Sequence, residues 1–498
     1  MSNSKTEQRR LLCVALALAC GSVTAAEIGP ALRAQAGTAP QDSLIVFPTQ
    51  TVPALAPWRA DADVLARRTA LVDALRQRAE REQAGVRQWL GEHGIAYRAY
   101  WIANVIAAPL TGPQIVALAQ RSDIERLDAD RPVRLRLPTP TTVARASATP
   151  IGIPWGLNKI RAPQAWALGV RGQGVVLAGE DTGYQWDHPA LKAQYRGWNG
   201  SVADHAYNWH DAIHDTGSLC GADSVAPCDD DNHGTHTMGT MLGDDGAGNQ
   251  PGVAPAARWI GCRNMNAGAG TPARYIECMQ WMLAPTDAAG LNPRPDLAPD
   301  IVSNSWGCTS GEGCVNGDEI KAAVDNLVAG GVFYVAAAGN GGSNCYGIGD
   351  APAIYASSFV VGATDSTDKV TSFSLRGPVS GGTRPMPDLV APGQGVQSSI
   401  PTDSYMAMSG TSMATPHVAG VAALMMSVNP ALKGHPNQVA EILRATAVRG
   451  GITDPYNAGC GGLTMADWPN NQAGSGRLDA LAAVVLADTI FQNGYDNP

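Results

Sequence analysis

Three short segments carry side chains that could together hydrolyse an acyl bond. Glu180-Asp181-Thr182-Gly183 offers a carboxylate, Asn232-His233-Gly234-Thr235-His236 an imidazole, and Gly410-Thr411-Ser412-Met413-Ala414-Thr415-Pro416-His417 a hydroxyl. An alcohol is a poor nucleophile until a base takes its proton, and an imidazole serves as that base when a carboxylate fixes its tautomer. One Gly-Thr-Ser alone would say little. Three matched segments in the order Asp, His, Ser point to attack by Ser412, with His233 as base and Asp181 orienting it. Val335-Ala336-Ala337-Ala338-Gly339-Asn340 ends an apolar run with an amide, a donor suited to the oxyanion that such an attack creates. A metal centre is the competing chemistry for His233 and His236. No Glu follows His233 in a zincin pattern and no third ligand is evident, so His236 and His417 are assigned to packing and hydrogen bonding.

These side chains need elements to hold them. Val175 to Gly179 reads as a buried strand that delivers Asp181 at its end. Trp259 to Met265, Ile301 to Ser305 and Val332 to Ala338 read as further strands, with helices such as Glu319 to Leu327 between them. Such alternation predicts an α/β unit with a doubly wound, mostly parallel sheet, whose sites lie at the carboxyl ends of the strands. Ser412 opens a small-residue helix, Met413 to Ser427, and the N–H groups of a helix start favour developing negative charge. Glu180 should point away from Asp181, because neighbours in a strand face opposite sides. There it should meet a buried partner or have a raised pKa.

The N-terminal third has another pattern. Residues 44–48 read as a strand and 62–92 as an amphipathic helix with Leu65, Leu71, Val72, Leu75, Val86, Trp89 and Leu90 on its apolar face. Tyr97 to Ala107 reads as a strand, Gln114 to Gln120 as a helix and Ile124 to Val133 as a strand, a small α+β layout of ferredoxin type. Leu137 to Ile153, rich in Pro, Thr, Ala and Ser, reads as an exposed linker open to proteolysis. Before all of this, Lys5, Arg9 and Arg10 precede an apolar run from Leu11 to Cys20 and a cleavage-like Thr24-Ala25-Ala26, which is a secretory signal. The expected division is a signal at 1–26, the small unit and linker at 27–148, the catalytic unit at 149–486 and a tail at 487–498.

The chain has 498 residues and a net charge of -9, with no basic stripe for nucleic acid and no segment beyond the signal apolar enough for a membrane. Ten cysteines fall to eight once Cys13 and Cys20 leave with the signal. An even number in an exported protein favours disulfides. Cys220 with Cys228 and Cys308 with Cys314 could close small loops; Cys262 with Cys278 and Cys345 with Cys460 would follow by elimination.

Asp-Thr-Gly, His-Gly-Thr-His, Ser-Trp-Gly, Ala-Ala-Gly-Asn and Gly-Thr-Ser-Met-Ala follow one another in the order of the subtilisin-like serine proteases. Residues from about Pro154 to about Leu486 resemble that catalytic domain. Trp186-Asp187-His188-Pro189-Ala190-Leu191, Tyr207-Asn208-Trp209 and Trp259-Ile260-Gly261-Cys262-Arg263-Asn264-Met265 place the likeness nearest its bacillopeptidase F branch. Residues 42–135 resemble the inhibitory propeptide of such enzymes. The resemblance implies a secreted, monomeric serine endopeptidase for protein or peptide substrates, made as a self-processed zymogen that its own propeptide inhibits. It implies that Asn340 and the Ser412 N–H form an oxyanion hole. Ser305, Trp306 and Gly307 would line the substrate cleft opposite Ala337, Ala338 and Gly339, and Asp350 would lie at the base of the primary specificity pocket and favour Arg or Lys. No cofactor is needed for the chemistry. Ile151 and Ala190 replace the Gln and Asp of the family's strong calcium site, which leaves Asp244, Asp245 and Asn249 as oxygen ligands for a structural calcium. The alternative function is a non-catalytic binding protein on the same fold.

Overall fold

The computed structural model describes residues 25–33, 37–48, 63–135, 152–314, 318 and 320–492. The signal up to Thr24, the linker from 136 to 151 and the tail from 493 lie outside the described residues.

The N-terminal unit is a mixed five-stranded sheet covered by the long helix Val64–Glu92 and the short helix Gly112–Ala119. Its strands are β1 (Glu27–Ile28), β2 (Gln41–Val46), β3 (Arg98–Tyr100), β4 (Val105–Leu110) and β5 (Arg126–Ala129), in the order β1-β5-β2-β4-β3. The helix Val64–Glu92 begins where the Asp63 side chain accepts the Leu65 N–H at 2.9 Å. It buries Leu71, Val72, Leu75, Val86 and Leu90, whereas Leu65, in the first turn, is exposed. The single strand expected over Tyr97 to Ala107 is two strands, β3 and β4, paired antiparallel around a turn. Asn104 makes that turn at φ 50°, a left-handed conformation that Asn tolerates better than most residues. A short strand, β6 (Val133–Arg134), leaves this sheet altogether.

The second unit is built on seven strands, all parallel. In chain order these are β7 (Val176–Asp181), β8 (Trp209–Asp211), β9 (Arg258–Arg263), then, beyond the small ribbon of β10 (Met265–Asn266) and β11 (Ala269–Gly270), β12 (Ile301–Asn304), β13 (Phe333–Ala337), β14 (Phe359–Thr364) and β15 (Leu389–Pro392). The sheet order is β15-β14-β13-β12-β7-β9-β8, with β7 among the central strands. Both faces are covered, so these strands are apolar on both sides. Leu177 and Val335 face a core shared with the helices His233–Leu242 and Thr411–Val428. Ala178 and Tyr334 face the other core, with the helices Pro272–Leu283 and Lys321–Ala329.

The N-terminal unit packs onto this second face. Leu44, Val46, Leu71, Leu75 and Ile102 join the core that holds Ile276, Met279 and Leu283. Polar contacts fix the register: Arg68 Nε donates to Gly330 O at 2.8 Å, and Tyr100 OH to Glu277 Oε2 at 2.9 Å. Asp130 accepts the Ala273 N–H at 2.8 Å and the Thr271 hydroxyl at 3.2 Å, so a carboxylate of one unit caps a helix of the other. Four disulfides join Cys220–Cys228, Cys262–Cys278, Cys308–Cys314 and Cys345–Cys460.

Candidate active site

Asp181 is the last residue of β7 and is nearly fully buried. His233 is the first residue of its helix. The two approach closely because the residues after each are small: a Cβ on Gly234 would lie 2.0 Å from Gly183 O, and one on Gly183 would lie 1.8 Å from Cys228 O. Only glycine fits either contact. The result is a 2.6 Å hydrogen bond from His233 Nδ1 to Asp181 Oδ1. The Thr182 N–H donates to the same oxygen at 2.8 Å, and the Thr237 hydroxyl to Oδ2 at 3.3 Å.

Burial works to lower the His233 pKa. The charge and hydrogen bond of Asp181, with further help from Asp231 and Asp229, outweigh it and hold the imidazole above its ordinary value. Asp229 was not singled out from sequence. It is the hub that joins the two segments: Oδ1 accepts from the Thr182 hydroxyl at 2.8 Å, and Oδ2 from the Thr235 N–H at 2.9 Å and hydroxyl at 2.6 Å. Its only sequence signal is an acidic residue four positions before a helix start.

Ser412 is the second residue of its helix and is buried. Its hydroxyl donates to Ser305 O at 3.0 Å, and Ser305 Oγ donates back to Ser412 O at 3.0 Å. Asn340 is tied to the same helix start: its Oδ1 accepts the Thr411 N–H at 2.9 Å and the Thr411 hydroxyl at 3.0 Å. With its oxygen committed, the amide presents nitrogen as its donor end.

One cleft of about 600 Å³ brings together Ser412, Asn340, Trp306, Gly307, Ala338 and Asp350. Ser305, Ala337 and Gly339 line it too, so the wall residues expected from sequence share one cavity. Asp350 is solvent-exposed at its rim, and its Cβ lies 3.5 Å from where a Cβ of Gly307 would be. The same cleft holds part of the N-terminal unit: β6 pairs antiparallel with β11, and the Leu135 N–H donates to Gly268 O at 2.7 Å.

The sequence profile of the subtilase family matches residues 172–476. The chain belongs to the subtilase family. It is 37% identical over 440 residues to bacillopeptidase F of Bacillus subtilis (strain 168), covering 84% of this chain and 28% of that protein, so the chain spans little more than a quarter of that relative's length. It is 33% identical over 308 residues to alkaline elastase YaB of Bacillus sp. (strain YaB), covering 62% of this chain and 68% of that protein. Against subtilisin Savinase of Lederbergia lenta it is again 33% identical over 308 residues, covering 62% of this chain and 96% of that protein. As a subtilase it is a subtilisin-like serine peptidase, and its chemistry requires no cofactor.

His236 Nε2 donates to Val396 O at 3.0 Å, and His417 Nδ1 bonds Met413 O at 2.8 Å. Burial lowers their pKa to about 3 and about 4, so both are neutral packing groups. Glu180 faces away from Asp181, wholly buried, and among the described residues neither of its oxygens has a hydrogen-bond partner. Burial raises it well above the ordinary range, so it is the neutral acid. Asp245, expected as a calcium ligand, instead closes a turn by accepting the N–H groups of Ala247 at 2.7 Å and Asn249 at 2.9 Å and the Tyr405 hydroxyl at 3.2 Å. Among the described residues no three His, Cys, Asp or Glu side chains converge as for a metal. Among them, too, no helix is long and apolar enough to cross a membrane.

Proposed function

We propose that the protein is a secreted serine endopeptidase that works through Asp181, His233 and Ser412 and is made as a zymogen. The observation that carries the catalytic reading is the 2.6 Å bond between His233 Nδ1 and Asp181 Oδ1. With Nδ1–H committed to Asp181, Nε2 carries the lone pair. A substrate entering the cleft displaces the Ser412 hydroxyl from Ser305 O, and Nε2 takes its proton as Oγ attacks the scissile carbonyl carbon. Asp181 stabilises the imidazolium that results. The oxyanion receives hydrogen bonds from the Ser412 N–H and Asn340 Nδ2. Collapse breaks the C–N bond; Nε2–H protonates the leaving amine, and the acyl group stays on Oγ. Water, deprotonated by Nε2, then releases the acid and restores Ser412.

A fluorophosphonate should label the matured protein once, on the tryptic peptide that contains Ser412. Absence of label, or label elsewhere, would sink the catalytic reading in favour of a binding protein on this fold. Asn340→Ala should lower kcat by about 10²–10³ with KM little changed, a magnitude taken from the equivalent asparagine of subtilisin. An equal rise in KM would instead place Asn340 in substrate binding.

Residues 27–148 act in this reading as the inhibitory propeptide and linker of a catalytic unit at 149–486. The pairing of Val133–Arg134 with Ala269–Gly270 supports it, because an extended substrate would add a strand to the same edge. Four disulfides fit export to an oxidising compartment.

Asp350 sets a preference for Arg or Lys before the cut. A basic side chain between Gly307 and Ala338 would meet its carboxylate. In a peptide-library profile the wild type should favour Arg and Lys, and Asp350→Asn should reduce that preference roughly ten- to a hundredfold. An unchanged profile would remove Asp350 from the pocket.

A further inference from the structure

The edge of β11 that β6 occupies is shaped by one tight turn. β10 and β11 pair antiparallel, Met265 with Gly270 and Asn266 with Ala269, so Ala267 and Gly268 are the two central residues of a hairpin. Their φ angles are 46° and 77°. A two-residue turn of this kind puts both central residues in the left-handed region, which Gly adopts freely and Ala resists. The turn matters to the cleft because Gly268 O accepts the Leu135 N–H, and the next two residues, Ala269 and Gly270, face Arg134 and Val133.

A carboxylate holds Ala267 in this conformation. Asp230 Oδ1 accepts the Ala267 N–H at 2.8 Å, and the Asp230 side chain is fully buried. Arg263 Nη1 donates to Asp230 Oδ2 at 3.3 Å. Arg263 is itself buried and is fixed by Asp211, with Nε to Oδ1 and Nη2 to Oδ2 both at 2.9 Å. A bidentate pair sets direction as well as distance. Arg263 ends β9, directly beside Asp181 on β7. The turn is therefore tied through two side chains to the catalytic sheet. Asp211, Asp230, Arg263 and Ala267 all lie in the catalytic unit, so the tie does not depend on the N-terminal unit.

We propose that Asp230 is a positioning residue for extended substrates: by holding Ala267 it sets the edge of β11 on which the peptide backbone pairs. The proposal rests on the reading that substrate enters this cleft as an added strand. It concerns substrate residues that reach the ribbon and leaves bond breaking at Ser412 to the triad.

The test compares two esters with the same leaving group and the same residue before the cut. One is a tetrapeptide ester that reaches the ribbon, the other an acetylated amino-acid ester that does not. In Asp230→Ala, normalised by active-site titration, kcat/KM for the tetrapeptide should fall roughly tenfold, chiefly through KM, and that for the short ester by less than about twofold. Asp230→Asn keeps an oxygen for the Ala267 N–H and should retain most of the tetrapeptide activity. Adding Ala267→Gly to Asp230→Ala removes the side chain that resists the turn and should recover most of the loss, which a general loss of packing would not allow. Equal losses on both esters, or no recovery with Ala267→Gly, would overturn the role of Asp230 alone. A wild type that gains nothing from the longer peptide would overturn the added-strand reading and this one with it.

Discussion

Ser412→Ala is expected to leave the secreted chain unprocessed and to lower kcat by about 10⁶, the loss found for the same change in subtilisin. The two effects have one cause. Ser412 is the second residue of a helix whose start Asn340 holds through the Thr411 N–H. The neighbouring hydroxyls are committed elsewhere, Ser305 Oγ to Ser412 O and Thr411 Oγ1 to Asn340 Oδ1. On the proposed zymogen reading, processing would depend on it because the N-terminal unit already lies in the cleft through β6 and Leu135. The chain that follows, from Leu137 to Ile153, is the expected segment of self-cleavage, so the first substrate is covalently delivered. Intact-mass measurement of the variant, produced alone in a host lacking other extracellular proteases, should find the N-terminal unit still attached. Normal maturation there would mean that another enzyme makes the cut. Hydrolysis above the expected residue would mean that Ser412 is not the nucleophile.

The motifs were legible because their chemistry is local. Gly183 and Gly234 are required because a Cβ would lie 1.8 Å from Cys228 O on the one and 2.0 Å from Gly183 O on the other, next to the residues that the sequence offers as carboxylate and base. The parallel sheet was legible because β7, β9, β12 and β13 are buried nearly throughout and each holds an apolar stretch, polar only towards its ends. β8, β14 and β15 gave weaker signals. Trp209–Asp211 is a three-residue edge strand whose burial comes from Tyr184 and Trp259 across the core. The turn inside Tyr97 to Ala107 was hidden because Trp101, Ile102 and Ala103 are as apolar as the strands they separate, and only Asn104 marked it. Asp229 has only a weak signal in the sequence, because it acquires its role from partners that the fold brings near, Thr182 and Thr235.

Asp181→Asn should lower kcat by about 10⁴, the figure known for the same change in an unrelated serine protease, and should move the acid limb of kcat/KM to lower pH. In the proposed mechanism the working form of His233 is the neutral imidazole with its lone pair on Nε2. Activity is therefore lost as pH falls through the His233 pKa. In the wild type that pKa stands above the ordinary value: burial lowers it, but the anion of Asp181 and its hydrogen bond raise it more, with smaller help from Asp231 and Asp229. An amide at position 181 removes the largest raising influence and leaves the burial. Asp229 and Asp231 still face the ring, so the limb moves without reaching the pKa of an isolated buried imidazole. The loss in turnover has a separate origin. The Thr182 N–H, already bonded to Oδ1 at 2.8 Å, favours an amide oxygen there, but the charge that stabilises the imidazolium in the transition state is gone. The measurement is kcat/KM against pH for both proteins, each normalised by active-site titration. A limb that stays in place or moves to higher pH would mean that Asp181 is not what sets the basicity of His233.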